Sequence, residues 1–296
     1  MKLPVDRGHI ATEQIHDGSR ALDLLSTVEC VDLLAKDHEQ AITAVQKASG
    51  TISDFVDALV PRISQGGRLI YFGCGTSGRL GVLDAAECPP TFQSPPELVV
   101  GLIAGGDTSL RTSSEAKEDD PNGIAPEFDR IALNSKDTVL GIAAGGTTPW
   151  VLGGLKIAKK RGAMTGFLTC SAVTPDVDHL IFLNSGPEPL TGSTRLKAGT
   201  ATKLTLNIIS TTLFIKLEKV YGNMMVDLKA TNDKLLDRAI RIVSTICEID
   251  RETSAILLAN SGGEVKVAIV MHKKSVSAEV AIEILLSVNG NLHKIL

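Results

Sequence analysis

The sequence predicts an α/β fold: a doubly wound, five-stranded parallel sheet with flanking amino-terminal helices and a small carboxyl-terminal helical module. Three observations predict it. Between about residues 66 and 186, five short apolar runs alternate with stretches of helical pattern. The runs lack strict two-residue alternation, which suits strands buried on both faces. Three of them end in loops of glycine and hydroxyl residues, at the sheet edge where such folds bind ligands.

The elements follow in chain order. Residues 21–63 read as helices, because Leu33 and Leu34, then Ile52, Phe55, Val56 and Leu59, recur with helical period. Their expected work is to cover the sheet or a partner subunit. The strand runs are Arg68–Phe72, Leu98–Ile103, Thr138–Ala143, Ala163–Thr169 and His179–Leu183. Each is bounded by Gly, Asp or Pro, and the intervals are long enough for crossover helices. Gly192-Ser193-Thr194 leads into a long helix through about Tyr221, apolar nearly all round and so expected to be buried, in part between subunits. From Asn232 onward short helices alternate with glycines, as packing or partner-binding elements. The segments are thus 1–60, 61–231 (the ligand-binding domain) and 232–296.

The first loop carries the clearest chemistry. Gly73-Cys74-Gly75-Thr76-Ser77-Gly78 follows an apolar strand, and its glycines permit a sharp turn. Thr76 and Ser77 fall where a helix starts. Free backbone amides and the positive end of the helix dipole make that turn a cradle for phosphate. Glu87 lies two to three helical turns further on, within reach of a sugar whose phosphate is held there. The third loop, Ala144-Gly145-Gly146-Thr147-Thr148-Pro149, adds further amides and hydroxyls, and the second, Ala104 to Ser109, has the same character. Ser193 and Thr194 serve either as ligand contacts or as helix caps. Lys197 and Lys203 are weaker candidates for phosphate contact. His179 and Trp150 read as structural.

Composition excludes several classes. A formal net charge of −4 leaves no basic footprint for nucleic acid. The five cysteines are odd in number and form no CxxC pair, so neither a disulfide framework nor a zinc site is expected. No apolar run approaches the roughly 20 residues a membrane helix needs. The polar amino end does not read as a secretory signal, so a cytoplasmic protein is expected.

Two long stretches carry a resemblance. Gly75 through Phe92, with Asp84-Ala85-Ala86-Glu87-Cys88-Pro89-Pro90 at its centre, and Gly192 through Thr200 resemble the N-acetylmuramic acid 6-phosphate etherases, built on the sugar isomerase (SIS), flavodoxin-like fold. The likeness extends along nearly the whole chain. It implies a lyase that cleaves the lactyl ether of the phosphorylated muramic sugar, giving N-acetylglucosamine 6-phosphate and D-lactate in cell-wall recycling. It implies no metal or other cofactor, and a homodimer. It assigns Glu87 as proton donor and Glu118 as the second active carboxylate, with the family's spacing (118 − 87 = 31). Thr76 and Ser77 match the family's phosphosugar-binding positions, and Gly75, Gly145, Gly146, Thr147, Thr148, Ser193 and Thr194 stand beside them as substrate-binding candidates from the loop pattern. Gly145 and Thr147 depart from relatives that carry Ser and Arg there.

The chemistry needs two carboxylates in opposite protonation states. An ether oxygen leaves well only when protonated, and the carbon beside an opened sugar aldehyde has a removable proton. Apolar neighbours and the following prolines suggest a drier site for Glu87, the acid. Glu115, Asp119 and Asp120 give Glu118 a more polar setting, as base. Two other functions fit parts of the pattern. A non-catalytic sugar-phosphate sensor similar to the glucokinase regulatory protein would need no acid, and an aldose–ketose isomerase would need only a base near C2.

Overall fold

The computed structural model of the protein describes residues 6–114, 117–228 and 232–296. By internal contacts the chain forms two units: one of residues up to Ala86 with Glu97–Ser210, the other of Glu87–Pro96 with Thr211–Leu296.

The first unit is an α/β layer structure. Helices α1 (Thr27–Asp37), α2 (Glu39–Lys47) and α3 (Ser49–Ser64) precede the sheet. A reciprocal cap starts α1: the Ser26 amide donates to the Glu29 carboxylate at 2.8 Å. Helix α3 buries Ile52, Phe55, Val56 and Leu59, the period read from sequence. Strand β1 (Leu69–Gly73) is followed by helix α4 (Gly75–Phe92), whose last turns belong to the second unit. Strand β2 (Val99–Ile103), short helices α5 (Thr108–Arg111) and α6 (Ala125–Arg130), and strand β3 (Thr138–Ile142) come next. Helix α7 (Pro149–Lys160), strands β4 (Met164–Thr169) and β5 (His179–Phe182), and helix α8 (Lys197–Lys216) follow.

All four strand pairings are parallel, in the order β2-β1-β3-β4-β5. Strands β1 and β3 are buried at every residue, as apolar runs without alternation require. Phe72, Phe128, Trp150, Val151 and Phe167 centre the core on one face. At the amino ends of the strands, Arg68 donates twice to the buried Asp137 carboxylate, at 2.9 and 2.7 Å. That paired charge lies at the edge away from the glycine loops.

The second unit packs α9 (Asp233–Cys247), α10 (Arg251–Asn260), α11 (Val265–Lys274) and α12 (Ala278–Ser287) around Val243, Ile246, Leu258, Ala268 and Ile269. Polar side chains start three of these helices: Asn232, Asp250 and Ser277 each accept an amide of the first turn. Lys266 is buried with its Nζ donating to the Glu218 carbonyl (2.6 Å) and paired with Asp227 (3.0 Å). Burial pulls its pKa down, against the pull of Asp227.

One expectation is corrected. Helix α8 ends at Lys216 rather than near Tyr221, because Glu218 turns left-handed (φ +63°) and the Lys219 amide folds back onto the Phe214 carbonyl at 3.0 Å. Val220–Tyr221 (β6) and Met224–Met225 (β7) then pair antiparallel as a small hairpin. Within one chain α8 buries Leu206, Ile209, Leu213 and Phe214, whereas Ile208 and Ile215 are 41% and 46% exposed. The contact units also cut across the sequence segments, since α1–α3 share a unit with the sheet; the 231/232 boundary touches Thr231, outside the described residues.

One glycine tests the packing beside the third loop. A Cβ on Gly153 would lie 1.8 Å from the Pro121 carbonyl oxygen, so backbone has to move. Gly153→Ala is expected to lower unfolding free energy by about 1–3 kcal/mol in a urea titration.

Candidate active site

The first turn of α4 rests on close backbone approach. Gly75 opens the helix with φ +52°. A Cβ on Gly78 would lie 2.5 Å from the Gly73 carbonyl oxygen, and one on Gly73 would lie 2.9 Å from that of Ile142. Glycine at both positions therefore lets the helix begin directly at the end of β1. Its opening amides lack intrahelical acceptors and sit at the positive end of the dipole. Gly75 is exposed, and Thr76 and Ser77 are half-buried. Thr76 also lies beside α8, its Cγ2 3.5 Å from the Cβ position of Gly199.

Glu118 comes to this turn from the segment after β2. Its carbonyl accepts the Trp150 amide at 2.9 Å, which fixes its backbone on the first turn of α7. Trp150 is buried against Phe72, with ring centroids 5.9 Å apart. The Glu118 side chain itself is exposed. Burial, then the charges of Glu118 and Asp119, push the Cys74 thiol up to about 12. The carboxylate of Glu118 thus acts on the residue next to Gly75. Glu115, part of the polar setting read for Glu118, lies outside the described residues.

The other loops divide by what their hydroxyls do. In the second loop, Thr108 Oγ1 donates to the Gly105 carbonyl (3.2 Å), and Ser109 is buried against Ser114 Oγ (2.5 Å). Those groups are spent inside the loop. The hydroxyls of Thr76, Ser77, Thr147, Thr148, Ser193 and Thr194 have no hydrogen-bond partner among the described residues. Thr148 stands at the amino cap of α7, its carbonyl accepting the Val151 and Leu152 amides while its hydroxyl caps none of them. Gly146, buried at φ +76°, makes the third loop turn against Val173 and Thr169. Gly145 beside it is half-buried.

The fourth loop corrects the capping alternative for Ser193 and Thr194. Helix α8 begins only at Lys197, three residues beyond Thr194. Its first amides, of Lys197 and Ala198, donate to the fully buried Glu188 carboxylate at 3.1 and 2.9 Å. Burial raises the Glu188 pKa, and the two amides oppose the shift. Lys197 is equally buried, its Nζ donating to Asp37 Oδ1 and Gln40 Oε1, each at 3.0 Å. It is therefore committed to an internal ion pair rather than to phosphate. Lys203 stays exposed.

Glu87 lies further along the same helix α4, in the stretch grouped with the second unit. Its side chain is exposed, whereas Asp84, Ala85 and Cys88 turn inward. The dry setting read from its neighbours belongs to those residues and not to Glu87. Asp84 Oδ1 accepts Asn207 Nδ2 (2.7 Å) and Ser210 Oγ (3.1 Å), and burial raises its pKa.

Sequence reasoning missed Glu188, Asp84 and the segment from Ile10 to Ser19. Nothing in a single sequence marks Glu188 as a cap nine residues away. The amino-terminal segment did leave a signal, Ile10-Ala11-Thr12, a small apolar patch in a polar stretch. Among the described residues, no group of three or more His, Cys, Asp or Glu is placed to hold a metal.

Comparison with known proteins follows the same layout. The family profile described as the glucokinase regulatory protein N-terminal SIS domain matches residues 51–159, from α3 into α7. That described as the C-terminal lid domain of glucokinase regulatory protein matches residues 222–282. A curated N-acetylmuramic acid 6-phosphate etherase of Crocosphaera subtropica is 50% identical over 290 residues, 97% of this chain and 95% of its own. One of Thermosynechococcus vestitus is 51% identical over 277 residues, 92% of this chain and 89% of its own. The chain belongs to the N-acetylmuramic acid 6-phosphate etherase family. The SIS-domain match spans β1, the α4 turn, Glu118 and the third loop, all elements of the site described above.

The influence of Glu118 on the first turn can be read through Cys74. With its thiol near 12, Cys74 should resist iodoacetamide at pH 8, since only the thiolate reacts. In Glu118→Gln the loss of a negative neighbour should lower that value and speed alkylation at pH 10, followed by peptide mass spectrometry. Equal rates in both proteins would separate Glu118 from the turn.

Proposed function

We propose that this chain cleaves the D-lactyl ether of N-acetylmuramic acid 6-phosphate, giving N-acetylglucosamine 6-phosphate and D-lactate. Its relatives bear that activity in their names. The observation in this chain that carries the reading is the open α4 turn. There the opening amides and the unspent hydroxyls of Thr76 and Ser77 follow Cys74, the residue on which Glu118 acts, an arrangement suited to a phosphorylated sugar.

In the proposed reaction Thr76, Ser77 and the amides from Gly75 onward hold the phosphate. Gly145, Gly146, Thr147, Thr148, Ser193 and Thr194 line the sugar. Glu118 removes the proton from C2 of the ring-opened sugar. The C3–O bond breaks as Glu87 protonates the departing oxygen, which leaves as the hydroxyl of D-lactate. Water then adds to the C2–C3 double bond, its proton returning to C2 and its hydroxyl to C3. Each assisted proton transfer contributes on the order of 10² to 10⁴ in rate. Both carboxylates are exposed and so accessible to substrate.

The profile matches to glucokinase regulatory protein favour a second reading, a sugar-phosphate-binding regulator without turnover. Lactate release separates the two. We also propose a cytoplasmic homodimer. Exposed apolar residues on α1 (Val28, Val31) and α8 (Ile208) support subunit burial, and no described helix is long and apolar enough to cross a membrane. The segments 1–60, 61–231 and 232–296 are proposed as the functional division of the sequence.

Incubating the protein with N-acetylmuramic acid 6-phosphate and measuring free D-lactate tests the activity directly. Glu87→Gln should lower lactate release by at least about 10² while N-acetylglucosamine 6-phosphate still binds. Wild-type turnover in that variant would remove Glu87 from the proton-donor role. Ser77→Ala should raise KM about tenfold with kcat nearly unchanged, the loss of one hydrogen bond to a charged group. An unchanged KM would move the phosphate away from this turn.

A further inference from the structure

The amino-terminal segment lies on two of the loops assigned to the sugar. Ile10 and Thr12 are buried, and a 3₁₀ turn over Ala11–Glu13 connects them to the residues beyond. Thr12 Oγ1 is 3.8 Å from the Cβ position of Gly145 in the third loop. Further on, His16 Nε2 lies 3.1 Å from the buried Asp37 carboxylate, and Ser19 Oγ donates to the Pro189 carbonyl at 2.7 Å. Both ends of the strap are therefore held.

Between these anchors stands Glu13. Its Oε2 is 3.1 Å from the Cβ position of Gly192, the residue before Ser193 and Thr194. The side chain is exposed and has no hydrogen bond or ion pair among the described residues. A carboxylate kept without a partner between two buried anchors, at the rim of a loop cluster with unspent hydroxyls, is placed for a ligand. An ionised carboxylate only accepts hydrogen bonds. Beside a phosphate it would be repelled, so it faces the part of the ligand that carries donors.

We infer that Glu13 is a substrate-contacting, specificity-determining residue that accepts hydrogen bonds from the hydroxyl or amide N–H groups of the amino sugar. This rests on the phosphosugar reading of the site. The strap sets Glu13 over Gly192, next in sequence to Ser193 and Thr194. The Gly192 conformation, φ +76° with no side chain, leaves the carboxylate room to lie over the loop.

Calorimetric titration with two probes tests it. For Glu13→Gln the Kd for N-acetylglucosamine 6-phosphate should rise about tenfold or more, the usual size for a hydrogen bond to a charged group. The affinity for inorganic phosphate should stay as in wild type. Asp17→Asn, an exposed change in the same strap, should alter neither. An unchanged sugar-phosphate Kd in Glu13→Gln would overturn the inference. So would an equal loss for inorganic phosphate, or an equal loss in Asp17→Asn, which would make the effect one of strap packing. Failure of the wild-type protein to bind the sugar phosphate at all would instead overturn the reading of the site, and the role of Glu13 with it.

Discussion

The first unit depends on how closely α4 can lie against the sheet. Four glycines make that contact. Gly73 and Gly78 meet at the turn, Gly81 faces the Tyr71 side chain, and Gly101 of β2 lies against the backbone of Val82. A Cβ at any of the four would come within 3.0 Å of a neighbouring atom. With the helix axis held this close, its first turn emerges at the end of β1 rather than above it. The amides of that turn then share a rim with the third loop and with Glu118.

Buried charge is the other investment. Asp37 Oδ1 receives Lys197 Nζ, His16 Nε2 and Gln40 Nε2 at 3.0, 3.1 and 3.2 Å. One oxygen thus joins the strap, the α1–α2 corner and the start of α8. Removing charges from water is expensive, so such a cluster is weak evidence for stability in itself. It does specify geometry, because the start of α8 cannot part from the α1–α2 corner without leaving buried Lys197 and Asp37 unpaired.

The sheet was legible because strands buried on both faces leave an unmistakable record: five apolar runs, each matched within a residue or two by an observed strand. The first turn was legible for a related reason, since glycine spacing reports close approach of backbone. The end of α8 was not. Its apolar residues run past Lys216 into β6, and a hairpin of two-residue strands has no periodicity to read. The environment of Glu87 was misread because Pro89 and Cys88 describe the helix around it, while its own direction depends on the helical phase set by the buried Asp84. Lys197 looked like a phosphate ligand by position, and only the fold reveals Asp37, 160 residues away in sequence, as its partner. Glu13 carried no sequence signal, since an exposed carboxylate in a polar stretch is the commonest thing a chain contains.

Two long helices of the first unit, α4 and α8, open beside these loops, and both begin with a cluster of unpaired N–H groups. The chain has stoppered one of them. By seating the Glu188 carboxylate on the opening amides of α8, it fills that electropositive end with a negative charge of its own. An incoming phosphate would be repelled there and attracted to the neighbouring turn at Gly75. A single buried acid thereby removes a rival berth, and lets two otherwise similar helix ends differ in what they attract.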